Sequence, residues 1–355
     1  MLIRADARTL PFSDSCVDCV VTSPPYFGLR DYGHARQIGL EQTPDAYVAS
    51  LVAVFADVRR VLKDSGTVWV NLGSSYVGSC VSGGTDPSLS LFREHAPGRV
   101  SRDRDGHTEG TDGSGTAWSN YTSKLKKKDL LPIPWMVAMA LQADGWYLRS
   151  DIIWSKPNKM PEAVTDRPTM SHEYLFLLTK RARYRYDAAV IAEPVSAAML
   201  QEIEQGYDGL GLKDYAAAGV QNPSDVKARI IRGATLKADR HHPMVSQGPM
   251  SHHLREARER NGYEAPFGLT RNKRTVWTVN TQPYSGAHFA TMPEKLVEPC
   301  VLAGCPIGGL VLDPFIGSGT VGAVAERLGR RWVGVDLNYQ QLAQKRTAQR
   351  GLRYT

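Results

Sequence analysis

A chain of 355 residues with 42% hydrophobic content has room for one large α/β domain or two of ordinary size, and enough apolar surface to exclude global disorder. Arg4 and Asp6 interrupt the opening residues where a signal peptide would need its apolar core, and no apolar run approaches the roughly 18 residues of a membrane span. The expectation is a cytoplasmic protein with no membrane contact, its five cysteines reduced, and a formal net charge of +7 that suits a polyanionic partner without establishing one.

The first segment reads as strand, turn, strand, with Cys16 to Val21 a β-prone run that stops at Pro24-Pro25. A helix is predicted from about Pro44, because Tyr47, Leu51, Val54, Phe55, Val58, Val61 and Leu62 recur at helical spacing. Thr43 suits the N-cap, Pro44 the first helical position, and Asp64-Ser65-Gly66 the end of the element. Thr67 to Leu72 then reads as a buried strand, and this strand–helix–strand order implies a parallel sheet. From Gly78 to about Lys128 the chain is rich in Gly, Ser, Thr and charge, which reads as a long mobile insertion closed by the basic run Lys124 to Lys128.

A helix near Ile133–Ala143, a strand Trp146–Trp154 and a strand Tyr174–Thr179 follow. The pattern then weakens from about Glu193 to Arg274. Residues 224–274 carry eleven Lys or Arg against five Asp or Glu, with two histidine pairs. The last eighty residues are the most regular: a strand Gly308–Asp313 ending in an acid, a glycine turn, a short helix Val321–Leu328, and a strand Trp332–Asp336 again ending in an acid.

A strand, a glycine turn and a helix make a nucleotide-binding corner, since the glycines permit positive φ and the helix N-terminus presents amides to the ligand. Here Gly317-x-Gly319 lacks the third glycine of the dinucleotide fingerprint, which argues against a pyrophosphate. Asp336 stands where it can accept both ribose hydroxyls of an adenosine. The whole octet, Asp313 to Thr320, resembles the S-adenosylmethionine-binding motif of amino-group DNA methyltransferases. The resemblance implies that Asp313, Phe315, Gly317, Gly319 and Thr320 meet the methionine end of S-adenosylmethionine and Asp336 its ribose. His288-Phe289-Ala290-Thr291-Met292-Pro293 looks like the family's segment that touches the cofactor just before the glycine turn. With Asp6, Thr22, Pro314, Ser318 and Asn338, these residues make up the expected cofactor site.

An exocyclic amine is a poor nucleophile because its lone pair is delocalised into the ring. Acceptors for its two N–H groups favour a pyramidal nitrogen, and an aromatic ring must grip a base that has left the helix. Thr22-Ser23-Pro24-Pro25-Tyr26 offers a small polar side chain, carbonyls stiffened by prolines and an aromatic ring at the end of a strand. The expected catalytic residues are Ser23, Pro24, Pro25 and Tyr26. Asp6 to Ser15, Val61 to Gly73, Trp154 to Asn158 and Ser171 to Tyr174 are also similar to this family.

With the catalytic motif first and the cofactor motif last, the chain resembles the circularly permuted β class of exocyclic-amino DNA methyltransferases. That implies an α/β, Rossmann-like methyltransferase fold with a mostly parallel sheet and an inserted target recognition region. The expected division is a catalytic half at 1–159, a recognition region at 160–275 and a cofactor half at 276–355. Lys126, Lys127 and Lys128, and Arg271, Lys273 and Arg274, are the candidates for DNA contact. In this family Ser at the first motif position goes mainly with N4 of cytosine and Asp with N6 of adenine, so Ser23 favours cytosine and adenine is the runner-up. The implied partner is double-stranded DNA, with a homodimer and a cognate restriction endonuclease left open.

Other readings are set aside. Methylation at carbon 5 of cytosine needs an attacking thiolate, whereas Cys300 and Cys305 sit in an apolar helix-like stretch and read as core. Cys16-x-x-Cys19 is too apolar in context for zinc, so no metal is expected. His172-Glu173-Tyr174 reads as packing at the start of a strand. A catalytically inactive DNA-binding relative is disfavoured by intact Ser23, Tyr26, Gly317 and Gly319.

Overall fold

The computed structural model describes residues 1–29, 33–77, 126, 128–194, 270–282, 291–337 and 343. The chain forms two compact units, one of Met1–Tyr186 with Thr275–Thr355 and the other of Asp187–Arg274. In chain order the first unit contains β1 (Leu2–Arg4), β2 (Val17–Thr22), α1 (Pro44–Val61), β3 (Leu62–Leu72), β4 (Ser75–Tyr76), β5 (Leu130–Leu131), α2 (Ile133–Ala143), β6 (Tyr147–Ser155) and β7 (His172–Thr179). The second unit supplies β8 (Glu193–Pro194) and β9 (Thr270–Arg271), which pair with each other. The first unit resumes with β10 (Val276–Thr278), α3 (Glu294–Gly304), β11 (Leu310–Asp313), α4 (Thr320–Arg327) and β12 (Arg331–Asp336).

Eight of these strands form one sheet in the order β1-β12-β11-β2-β3-β7-β6-β10. All its pairings are parallel except those of β7, which runs antiparallel to both β3 and β6. This is the mostly parallel, Rossmann-like methyltransferase sheet expected from the motifs. Its centre joins the two ends of the chain, because β11 lies directly beside β2 with Val311 opposite Cys19 and Leu312 opposite Val20.

Helix α1 starts where its capping residues dictate. The Thr43 side chain accepts from the Ala46 amide at 3.1 Å, and Pro44 needs no such partner. Its stripe of Tyr47, Val48, Leu51, Val54, Phe55, Val58 and Val61 is buried in the main core. At the other end Arg60 donates to the carbonyls of Leu10 and Phe12 and to Asp14 and Asp57, binding the lead-in loop to the helix.

Two boundaries differ from expectation. Asp64-Ser65-Gly66 does not separate helix from strand, since β3 begins directly at Leu62. The register slips instead: Leu62 faces Val17 and Thr67 faces Cys19, so the intervening residues bulge. Gly66 is required there, because a Cβ would lie 2.6 Å from Leu62 Cδ1. The second unit is also narrower than the 160–275 region expected for target recognition, because residues 172–179 form a strand inside the main sheet. Their apolar run reads identically in either setting, and only strand pairing decides between them.

The feet of the insertion expected at 78–128 are tied by the β4–β5 ladder, with the Val77 amide donating to Asp129 O at 2.9 Å. Apart from Lys126 and Lys128, the insertion itself lies outside the described residues. Replacing Thr43 with Ala should lower stability by about 1 kcal/mol in urea unfolding while Thr43→Ser stays near wild type; an unchanged midpoint for Thr43→Ala would contradict the cap.

Candidate active site

Strand β11 delivers Asp313 to the carboxyl edge of the sheet, and the chain then turns through residues 314–319 into α4. Asp313 Oδ1 accepts from the Phe315 amide at 3.0 Å and from the Thr22 hydroxyl at 2.7 Å. Both Asp313 and Thr22 are buried. Gly317 (φ 46°) and Gly319 (φ 82°) adopt the left-handed conformation that the turn demands. A Cβ on Gly319 would lie 3.0 Å from Ala343 Cα, whereas among the described residues one on Gly317 would meet Phe315 O at 3.8 Å. Next door β12 ends at Asp336, whose Oδ2 accepts from the Gly317 amide at 3.1 Å. Ser318 and Thr320 hydroxyls lie 3.3 Å apart at the start of α4.

Burial pushes the Asp313 carboxyl up to about 7, against the lowering effect of its two donors and with a further upward push from Asp336. A desolvated acid beside a glycine turn suits a ligand that brings a cation, and a second acid on the adjacent strand suits a ribose. These residues fit S-adenosylmethionine, whose ammonium would meet Asp313 and whose ribose would meet Asp336.

The loop expected to be catalytic, Ser23–Tyr26, leaves β2 immediately after Thr22. Tyr47 of α1 donates its hydroxyl to Pro25 O at 2.8 Å, which holds the Pro24-Pro25 turn against the core. Ser23 Oγ donates to Asn71 Oδ1 across 3.4 Å, and Asn71 Nδ2 donates to Tyr174 O at 3.1 Å. The second bond fixes the Asn71 amide, which is 1% exposed, with its oxygen toward Ser23. The Ser23 hydroxyl also neighbours the Tyr26 phenol, and its oxygen lone pairs can accept from an incoming group. Tyr26 donates its hydroxyl to Glu173 Oε2 at 2.8 Å, with Asn71 Oδ1 at 3.2 Å. Its ring lies against Gly73, where a Cβ would come 2.7 Å from Tyr26 Cε2. Burial, then the Glu173 charge, hold the Tyr26 phenol well above its ordinary range, so it remains a donor.

The remaining expected site residues are dispersed. Asp6 follows β1, the strand beside β12, and both its oxygens are held by Arg8, at 3.0 and 2.8 Å. Arg8 therefore competes for the carboxylate assigned to the cofactor. Met292 is half-buried and Pro293 caps α3, while His288, Phe289, Ala290, Asn338 and Lys127 lie outside the described residues. Pro314 is buried within the turn. Lys126 is exposed, and Lys128 pairs with Asp166 at 2.7 Å. In the second unit Arg271, Lys273 and Arg274 gather around the single carboxylate of Glu193, at 3.7, 3.4 and 3.3 Å.

Three residues absent from the expected site enter it here: Asn71, Glu173 and Lys156, which forms an ion pair with Glu173. Reading Glu173 as mere packing is corrected, because its carboxylate holds Tyr26. Cys19, Cys300 and Cys305 are buried, and burial pushes the Cys19 thiol to about 12 and raises that of Cys305, so they are neutral core residues. No cluster of potential metal ligands occurs among the described residues.

A family model described as DNA methylase matches residues 17–346. The chain belongs to the exocyclic-amino DNA methyltransferase family. Its methyl donor is S-adenosylmethionine. It is 40% identical over 354 residues to the Type II methyltransferase M.SmaI of Serratia marcescens, covering 98% of this chain and 91% of that one. It is 39% identical to M.Cfr9I of Citrobacter freundii, covering 93% and 80% of the two chains. In fold it is similar to the PvuII DNA methyltransferase (cytosine-N4-specific), with a TM-score of 0.55 and 15% identity over 97% of this chain and 85% of that one.

With Asp313 expected at the methionine end of the cofactor, cofactor binding is predicted to depend on pH. The folded Asp313 value near 7 lies above the 3.8 of an ordinary aspartate, so between those values the folded state holds a proton that the unfolded chain releases. This group's contribution to cofactor-free stability therefore falls as pH rises from about 4 to about 7. S-adenosylmethionine carries a net positive charge and favours the anion, so its affinity should rise several-fold as pH rises through about 7 and then level off. Calorimetric titrations at pH 6 and 8 test this. Asp313→Asn should flatten the dependence, and a flat wild-type profile would contradict the assignment.

Proposed function

We propose that this methyltransferase modifies the exocyclic N4 amine of a cytosine flipped out of duplex DNA. The observation that carries the proposal is the uncharged Ser23 at the first motif position, its hydroxyl within hydrogen-bond reach of the buried Asn71 carbonyl. An oxygen so placed accepts one amine N–H, and the Pro24 carbonyl accepts the other. Tyr26 stacks on the base. Losing those two protons' freedom to hydrogen bonds directs the nitrogen lone pair out of the ring plane. Bound S-adenosylmethionine supplies an activated methyl group on its sulfonium. No strong base is required, because the methylated amine loses its extra proton readily. Positioning provides most of the rate.

On the cofactor side, Asp313, Phe315, Gly317, Ser318, Gly319 and Thr320 hold the methionine end and Asp336 the ribose. Thr22 holds Asp313, and Met292 and Pro293 stand before the helix that leads to β11. The unit Asp187–Arg274 acts in target recognition, with Arg271, Lys273 and Arg274 reaching phosphate or guanine and Lys126 and Lys128 adding phosphate contacts. Relatives named Type II methyltransferases support a cognate restriction endonuclease as partner. No helix of the described residues is long and apolar enough to cross a membrane.

Methylating mixed-sequence DNA, hydrolysing it and identifying the nucleoside by mass spectrometry tests the reading. N4-methylcytosine is expected; N6-methyladenine would overturn the choice of base, and 5-methylcytosine the whole site. Tyr26→Ala should reduce turnover by about tenfold or more with cofactor affinity kept, from the roughly 1–3 kcal/mol of a base–aromatic stack. Asp336→Ala should do the reverse, and full cofactor affinity in that variant would refute the ribose contact.

A further inference from the structure

We infer that Glu173, held by Lys156, is a positioning residue that sets the plane of the Tyr26 ring for the incoming base. The inference rests on the reading of Tyr26 as the stacking residue. Glu173 is the second residue of β7 and faces Trp154 of β6 in the antiparallel register, and Lys156 immediately follows β6. Both charged side chains are largely buried, at 17% and 11% exposure. Glu173 uses one oxygen for Lys156 and the other for the Tyr26 hydroxyl, 147 residues away in sequence. The Lys156 ammonium also sits 4.0 Å from the centre of the Trp154 ring, so a carboxylate and an aromatic face hold the cation together.

A buried ion pair that served packing alone would gain little over apolar residues of the same volume. This one is aimed. Its free oxygen points at the far end of the aromatic side chain that contacts the base. The near edge of that ring is pressed against Gly73, the position where a Cβ would collide with Cε2. Fixed at its hydroxyl and along one edge, the ring has a single plane available before any base arrives. Pre-setting that plane removes an ordering cost from base capture and aligns the amine with the methyl donor.

A double-mutant cycle in the full chain tests the inference, with unmethylated mixed-sequence DNA as substrate and saturating S-adenosylmethionine. Tyr26→Phe and Glu173→Gln should each lower kcat about tenfold. The double variant should be no slower than Tyr26→Phe alone, and cofactor affinity should stay within about twofold throughout. Lys156→Gln should reproduce the Glu173→Gln effect and the same non-additivity, and it replaces Glu173→Gln in the cycle if that variant loses cofactor binding. Losses that multiply in the double variant, or wild-type kcat in Glu173→Gln, would overturn the positioning role while leaving Tyr26 in place. Wild-type kcat in Tyr26→Ala is a different failure: it removes the stacking role itself, and the inference with it.

Discussion

The buried hydrogen bond from the Thr22 hydroxyl to Asp313 is the contact on which the site depends. It spans 291 residues of sequence, yet its partners end neighbouring parallel strands. Thr22 begins the loop proposed to hold the acceptors for the amine. Asp313 begins the turn proposed to receive the methyl donor. Because open α/β sheets bind ligands beyond the carboxyl ends of their strands, placing β2 beside β11 puts both functions at one edge. Motif order along the chain then becomes irrelevant to the chemistry, which is what a circular permutation requires.

Around that contact the loop is held by polar groups from strands other than its own. Asn71 of β3 directs the Ser23 hydroxyl, and the Tyr174 carbonyl of β7 directs Asn71. Glu173, one residue before, takes the Tyr26 hydroxyl. The antiparallel β7 is therefore more than a filler in a parallel sheet: its first residues complete the hydrogen bonding of the Ser23–Tyr26 loop. The side-chain donors of Ser23, Tyr26 and Asn71 each find an acceptor, which avoids the cost of about 1–3 kcal/mol for an unpaired polar group.

Local signals made much of the fold legible. Thr43-Pro44 and a helical stripe marked α1, and an acid, a glycine turn and a second acid marked β11, α4 and β12. The same features named Asp313, Gly317, Gly319 and Asp336, since tight turns declare themselves in neighbouring residues. The parts that were hidden are those set by register. Asn71 lies in the apolar run of β3 and looks like one polar residue in a core strand; only its pairing with Leu175 beside Tyr174 gives it a task. Glu173 looked like packing because nothing local reveals that β7 inserts between β3 and β6. For the same reason the strand 172–179 was assigned to the recognition region. At Arg271, Lys273 and Arg274 the acid that offsets part of the cationic charge, Glu193, is far away in sequence and only the β8–β9 pairing brings it to them.

Through Thr22 and Asp313, β2 and β11 are proposed to act as one site. Thr22→Val keeps the side chain's shape and removes only the donor, so Asp313 loses a bond that lowers its pKa. The most direct measurement is the pH profile of S-adenosylmethionine affinity in that variant. The account predicts weaker binding at pH 7 and a midpoint shifted above the wild-type value near 7; an unchanged affinity and midpoint would contradict it.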